Sequence, residues 1–151
     1  MKKKVHLITG LLATLTIATF FLSTIIVELF GSYQSITTVK SLIVVPGLFI
    51  LIPLIAATGA SGFVLSKSRS DPLVNAKKKR MPFIAANGLF ILVPAAIFLD
   101  HLASAGTFNS TFYAVQSLEL LAGATNLILM SLNIRDGLRL GSSHKMLQTE
   151  S

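Results

Sequence analysis

Four long apolar runs dominate this chain, at about residues 5–30, 41–65, 81–102 and 109–134. An α-helix rises about 1.5 Å per residue, so each run is long enough to cross the roughly 30 Å hydrocarbon core of a bilayer. Only 13% of the residues are charged, about half the share that is usual in soluble domains. The sequence therefore predicts an all-α integral membrane four-helix bundle, with one transmembrane domain over residues 1–141 and a disordered tail over 142–151.

The basic residues predict how this bundle is oriented. Of the 13 Lys and Arg residues, 12 precede the first run, lie between the second and third, or follow the fourth. Only Lys40 falls in the other loops, at 31–41 and 103–109. Because positive charge stays on the cytoplasmic side, both termini are expected to be cytoplasmic (N-in/C-in). We expect a multi-pass protein in the cytoplasmic (inner) membrane of a bacterium.

The net charge of +7 does not indicate a nucleic-acid-binding protein, because the charges flank apolar helices. The densest group is expected to attract anionic lipid headgroups; it comprises Lys77, Lys78, Lys79 and Arg80. These residues belong to a segment at 66–80 that contains Asp71-Pro72, for which the sequence predicts a turn and a mobile loop.

Several kinds of chemistry are excluded or disfavoured. The chain has no cysteine, which excludes disulfides, thiolate catalysis and Cys-ligated zinc or iron–sulfur centres. Bis-histidine haem is disfavoured, because only His101 is expected on the outer side, whereas His6 and His144 belong to the cytoplasmic side. The sequence contains no phosphate-binding loop, dinucleotide fingerprint or nucleophilic triad.

The second apolar run contains the small-residue segment IAATGASG. Small side chains allow the backbone of a neighbouring helix to approach closely. Thr58, Gly59 and Gly62 are therefore predicted to contact another helix, either within the bundle or in a second copy of the chain, which would form a homo-oligomer.

A short segment occurs twice, as GLFILIP at 47–53 and as GLFILVP at 88–94. The two copies would run in opposite directions through the membrane. Chance similarity between two lipid-facing helices explains such a match most simply. Pro53 and Pro94 are expected to bend their helices, because proline removes a backbone donor.

The fourth run carries a polar stripe with spacings of three and four residues, the period of one helical face. The stripe comprises Gln116, Glu119, Gly123, Asn126, Met130 and Asn133. Lipid cannot satisfy polar groups, so this face must point into the bundle or at another subunit. Counting about 1.5 Å per residue from the ends of the helices gives the depth of each residue in the membrane. This depth counting places Asn126 near Asn87 of the third helix, and we predict a structural hydrogen bond between them.

The remaining polar residues gather in the outer half of the bundle. They are Glu28, Asp100, His101, Gln116 and Glu119. Two interpretations stay open for this cluster. In one, Glu119 is protonated and hydrogen-bonded, because no Lys or Arg is expected at its depth, and the other residues are solvated. In the other, the cluster is a ligand, proton or metal site, because ionisable groups in a membrane are costly.

Two functions follow from these interpretations. The first is a small polytopic, non-enzymatic membrane protein, either a subunit or a small-ligand-binding bundle. The alternative is a membrane enzyme or proton-coupled carrier that uses the carboxylates and His101. The sequence leans towards the first, and it leaves metal content open.

Overall fold

The computed structural model describes residues 2–66 and 72–149, with side chains described for 4–65 and 72–139. The chain is all-helical in these ranges. It forms α1 (Lys2–Phe30), α2 (Tyr33–Leu42), α3 (Phe49–Ser66), α4 (Pro72–Asn87), α5 (Val93–Ser104) and α6 (Ser110–Thr149). Two wider, π-helical segments join α2 to α3 (Ile43–Leu48) and α4 to α5 (Gly88–Leu92).

Within the described ranges, four stretches are long and apolar enough to cross a membrane, which confirms the predicted all-helical, four-span composition. We call them span 1 (Lys4–Phe30), span 2 (Tyr33–Leu65), span 3 (Pro72–Ser104) and span 4 (Ser110–Arg139). Helix α6 continues beyond span 4 to Thr149. It therefore covers residues 142–149, for which the sequence predicted disorder.

The four spans form a ring in which each packs against the next. α1 packs on α3 and on α6, α2 packs on α5, and both α4 and α5 pack on α6. Short connections after Phe30 and Ser104 lie at one end of the ring, which we call the hairpin end. Lys77 and Arg80 near the start of span 3, and Arg135 near the end of span 4, lie at the other end, the basic end.

Span 2 begins at Tyr33 rather than at about residue 41. The Ser32 side chain caps α2, since its Oγ accepts a hydrogen bond from the backbone N of Ser35 at 3.2 Å. Such a cap stabilises a helix start, and here it compensates for the polar composition of the segment that follows. As a result Lys40, which the sequence assigned to a loop, lies inside a helix and is fully buried.

Span 3 also begins earlier than predicted, at Pro72 rather than at about residue 81. Proline is well suited to the first turn of a helix, and the lysines that follow are good helix formers. The predicted mobile loop is therefore helical from residue 72 to 80. Residues 67–71, which include the predicted turn at Asp71, lie outside the described ranges.

Bends were predicted at Pro53 in span 2 and at Pro94 in span 3. Irregular backbone occurs in both spans, but it lies next to only one of these prolines. Pro94 follows the widened turn Gly88–Leu92, as a proline that removes a helical donor requires. Pro53 instead lies within the continuous helix α3, and the irregular backbone of span 2 precedes it. Span 2 bends earlier, at Val45, which has φ −132° and ψ 114°. Val45 precedes Pro46, and a residue before proline favours this extended conformation.

The small-residue segment of α3 contacts α1 at two of its three predicted positions. A Cβ atom at Gly62 would lie 3.0 Å from His6 Cε1, and one at Gly10 would lie 3.5 Å from the Thr58 methyl group. His6 Nδ1 also lies 3.1 Å from the Thr58 carbonyl oxygen. A Cβ atom at Gly59 would meet nothing within 4 Å, so within one chain the predicted contact at Gly59 is wrong.

Candidate functional site

A cavity of about 230 Å³ lies in the centre of the ring. All four spans contribute to its lining, which is predominantly aliphatic and aromatic. Its few polar lining side chains include Glu119, Asn126 and Thr24. Apolar pockets with a small number of placed polar groups are typical ligand sites.

The two copies of the repeated segment line this cavity from adjacent spans. Three corresponding positions of the two copies line it, and Gly88 of the second copy lines it as well. The corresponding positions are Leu48, Leu51 and Ile52 in span 2, and Leu89, Leu92 and Val93 in span 3. The sequence similarity therefore coincides with a shared position in the structure.

The cavity opens between spans 2 and 3. Four of its lining residues are also exposed at the surface of the bundle: Ile52 and Ala56 in span 2, and Ala85 and Leu89 in span 3. Ile52 is 46% exposed and Leu89 is 56% exposed. The opening therefore lies on an apolar lateral face rather than at either end of the bundle.

A buried ion pair lies at the end of the cavity nearer the hairpins. Lys40 Nζ donates to Glu119 Oε2 at 2.6 Å, and Gln116 Nε2 donates to the same oxygen at 3.0 Å. The Lys40 side chain is fully buried and that of Glu119 is 12% exposed. The expectation that Glu119 has no cation at its depth is therefore wrong, because the early start of α2 carries Lys40 into the bundle.

Glu28 extends this group, which we call the polar cluster: Glu28, Lys40, Gln116 and Glu119. Both Lys40 and Glu119 act electrostatically on Glu28. Among the described residues, Glu28 Oε1 and Gln116 Oε1 are buried without a hydrogen-bond partner. Buried acceptors are normally paired, so these two oxygens mark a local shortage of donors.

Asp100 and His101 are the two remaining residues of the predicted site, and their surroundings differ from those of Glu119. Asp100 accepts a hydrogen bond from Ser41 Oγ at 2.7 Å, which ties α5 to α2, and His101 is exposed. Across the described residues, no three His, Cys, Asp or Glu side chains are grouped closely enough to hold a metal ion. A metal centre built from Glu28, Asp100, His101 and Glu119 is therefore not formed in this arrangement.

Asn87 and Asn126 lie at the cavity end nearer the basic residues. Asn87 Nδ2 donates to Asn126 Oδ1 at 2.8 Å and to the Ala122 carbonyl oxygen at 2.9 Å. Asn126 Nδ2 donates to the Ile84 carbonyl oxygen at 3.3 Å. The structure thus contains the hydrogen bond that depth counting predicted, and it joins spans 3 and 4.

A second ion-pair group, which sequence reasoning missed, lies at the basic end. Asp136 is 1% exposed and accepts from Arg80 Nη1 at 2.7 Å and from Arg135 Nη2 at 3.2 Å. Arg80 Nη1 also lies 3.4 Å from Asn133 Oδ1. The signal was available in the sequence, because Asn133 and Asp136 continue the three-residue spacing of the polar stripe towards the basic end.

The chain matches no family model, no curated protein and no solved structure. The cavity and the polar cluster are therefore the features that bear on its function.

Proposed function

We propose that the chain is an integral membrane protein of the bacterial inner membrane, with the basic end and both termini on the cytoplasmic side. Large apolar side chains on every span support insertion, since they face outward where no protein covers them. Examples are Leu15 at 63% exposure, Phe49 at 74%, Phe90 at 73% and Leu121 at 70%. The concentration of Lys and Arg at one end supports the orientation.

Within the membrane, the bundle acts as a small-ligand-binding protein rather than an enzyme. The observation that carries this proposal is the central cavity, which all four spans line and which opens through an apolar face. A cavity of about 150 Å³ holds benzene. By proportion, a cavity of about 230 Å³ accommodates a ligand of about nine heavy atoms, and such a ligand reaches it from the lipid.

Filling the cavity tests this function. Ala96 is 3% exposed and lines the cavity, so Ala96→Leu places additional carbon atoms inside it. Ala86→Leu adds the same atoms to an exposed position of the same span and is the matched control. Propylbenzene binding to protein in lipid nanodiscs is measured against empty nanodiscs.

Binding is expected in the parent protein and in Ala86→Leu, and it is expected to be lost in Ala96→Leu. Equal binding in both variants would place the ligand outside the cavity. No binding beyond that of empty nanodiscs in any of the three would end the proposal.

A proton-coupled carrier is the second candidate, and the polar cluster favours it. Lys40 pairs with Glu119 and also acts on Glu28, so a proton on Glu28 can neutralise the second carboxylate. Proteoliposomes that enclose a pH indicator distinguish this candidate. A carrier acidifies or alkalises the lumen when its substrate is added, and Glu28→Gln abolishes the signal. A ligand-binding bundle produces no such signal.

The proposal also includes contacts with lipid headgroups and with a second copy of the chain. Lys78 and Lys79 are exposed at the basic end and are proposed to lie at anionic headgroups, whereas the Arg80 guanidinium pairs with Asp136. The open space beside Gly59 is proposed as the contact to a second copy of the chain.

A further inference from the structure

The polar cluster carries more negative than positive charge. Glu28 and Glu119 are carboxylates, Lys40 is the cation paired with Glu119, and both act on Glu28. Asp100 adds a further carboxylate at the same end of the bundle, bonded to the neutral Ser41 hydroxyl. Isolated charge is costly away from water, so this end of the cavity favours a second cation.

The unpaired hydrogen-bond acceptors of the polar cluster also favour a cationic ligand. Gln116 is only 4% exposed, and its Oε1 has no partner among the described residues. The same amide lies beside the ion pair, since its Nε2 is 3.0 Å from Glu119 Oε2. Glu28 Oε1 is also a buried acceptor without a partner. Glu119 is the residue of the cluster that lines the cavity, so a head group that reaches Glu119 also meets a cluster with unused acceptors, which donors on that head group complement.

A small inorganic cation fits this site poorly. Across the described residues, the carboxylates and histidines do not gather into a group of three that could surround a metal ion. The cavity beside Glu119 is instead apolar over most of its lining. The expected ligand thus combines a positively charged, donor-rich head with an apolar body.

We propose that the ligand of the central cavity is a small lipophilic amine, bound as its ammonium ion. The head group lies at Glu119, beside Gln116 and Glu28, and the apolar body lies among the side chains of the repeated segments. An ammonium group carries up to three N–H donors and no acceptor, which suits a cluster with acceptors to spare. The inference rests on the proposed ligand-binding function and names its ligand class.

Three probes of equal heavy-atom number separate the head group from the body: 2-phenylethylamine, 2-phenylethanol and propylbenzene. Their affinities are measured for the protein in lipid nanodiscs, with empty nanodiscs subtracted for partitioning. The amine is expected to bind about ten to a hundred times more tightly than propylbenzene, the range for a hydrogen bond to a charged group. The alcohol is expected to lie between them.

Substitutions of the carboxylates test which residues produce the preference for the amine. Glu28→Gln is expected to reduce the preference for the amine over propylbenzene about tenfold, because it removes one negative charge and leaves the cavity intact. Glu119→Gln is expected to remove the preference, and Glu28→Gln keeps the test valid if Glu119→Gln does not fold. Asp100→Asn is the matched control and is expected to keep the preference, since Asp100 is bonded to Ser41.

The outcomes separate the two proposals. If propylbenzene binds as tightly as the amine, and Ala96→Leu abolishes the binding of both, the cavity is a ligand site but the amine inference is wrong. If the amine preference survives in both Glu28→Gln and Glu119→Gln, or amine binding survives in Ala96→Leu, the inference is also overturned. If none of the probes binds, the ligand-binding function itself fails.

Discussion

Replacing Glu119 with Gln is expected to destabilise the bundle, although the two side chains have nearly the same shape. In the native protein the Lys40 ammonium is fully buried and lies 2.6 Å from Glu119 Oε2. The substitution leaves this cation without its direct counter-ion in an apolar environment. A Gln side chain still accepts hydrogen bonds, so the loss reports charge rather than packing.

The magnitude follows from the burial of the pair. Removing one partner of a buried ion pair typically costs about 3–5 kcal/mol. Glu119 is slightly exposed, and Glu28 also acts on Lys40, so we expect the lower end of that range, about 3 kcal/mol. The double variant Lys40→Met with Glu119→Gln has no unpaired cation. It is expected to recover about 2 kcal/mol, within the range of coupling energies for residues in contact.

The measurement is the free energy of unfolding in mixed detergent micelles, taken from the folded fraction against the SDS mole fraction. Ser117→Ala is the control on the same helix, because the exposed Ser117 hydroxyl bonds only to the Tyr113 carbonyl one turn before it. It is expected to be nearly neutral. If Glu119→Gln is as stable as Ser117→Ala, Lys40 and Glu119 are not a buried pair and the reasoning is refuted.

Four further predictions concern topology and packing. The chain has no native cysteine, so Ser104→Cys in intact cells is expected to react with a membrane-impermeant maleimide, whereas Lys79→Cys reacts only after lysis; the reverse pattern would invert the orientation. Asn126→Leu is expected to lower the free energy of unfolding in mixed micelles by about 1 kcal/mol, a usual value for a hydrogen bond between membrane helices, and an unchanged value would count against the pair. Gly62→Leu is expected to cost about 1–3 kcal/mol, since its Cβ would lie 3.0 Å from side chains of two other helices. Gly59→Leu is expected to leave monomer stability unchanged and to alter only oligomer size by light scattering, and a loss of monomer stability would contradict the open space at that position.

Depth counting succeeded for Asn87 and Asn126 because each lies in a helical segment with a uniform rise. Where two such segments cross the same bilayer, residues at equal depth lie side by side. The prediction therefore needed only the order of the spans and the distance of each residue from the basic end. The same reasoning failed at Lys40, because its depth depends on where α2 begins.

Hydropathy averaged over a window of residues does not locate the first residue of α2, because that start depends on a few individual contacts. A polar segment such as YQSITTVKSL is typical of a loop when its side chains face water. The Ser32 cap satisfies a backbone donor at the exposed start of the segment. The Ser41–Asp100 hydrogen bond and the Lys40–Glu119 ion pair satisfy side chains within the bundle. Two of these contacts join residues 59 and 79 positions apart along the chain, which a pattern read along one helix does not reveal.

The sequence by itself determined that this protein is all-helical, with four helices long and apolar enough to cross a membrane. Apolar character summed over each long run predicts these four spans without any knowledge of how they pack. This is possible because transfer into lipid is approximately additive along a helix.

Only the tertiary structure decided which polar groups meet and where space remains. The pairing of Lys40 with Glu119, the hydrogen bond between Ser41 and Asp100, and the central cavity all depend on the relative rotation and bending of helices. Those rotations are set by side-chain packing between spans. In span 2 the bend at Val45 adds a change of direction that the apolar pattern does not encode.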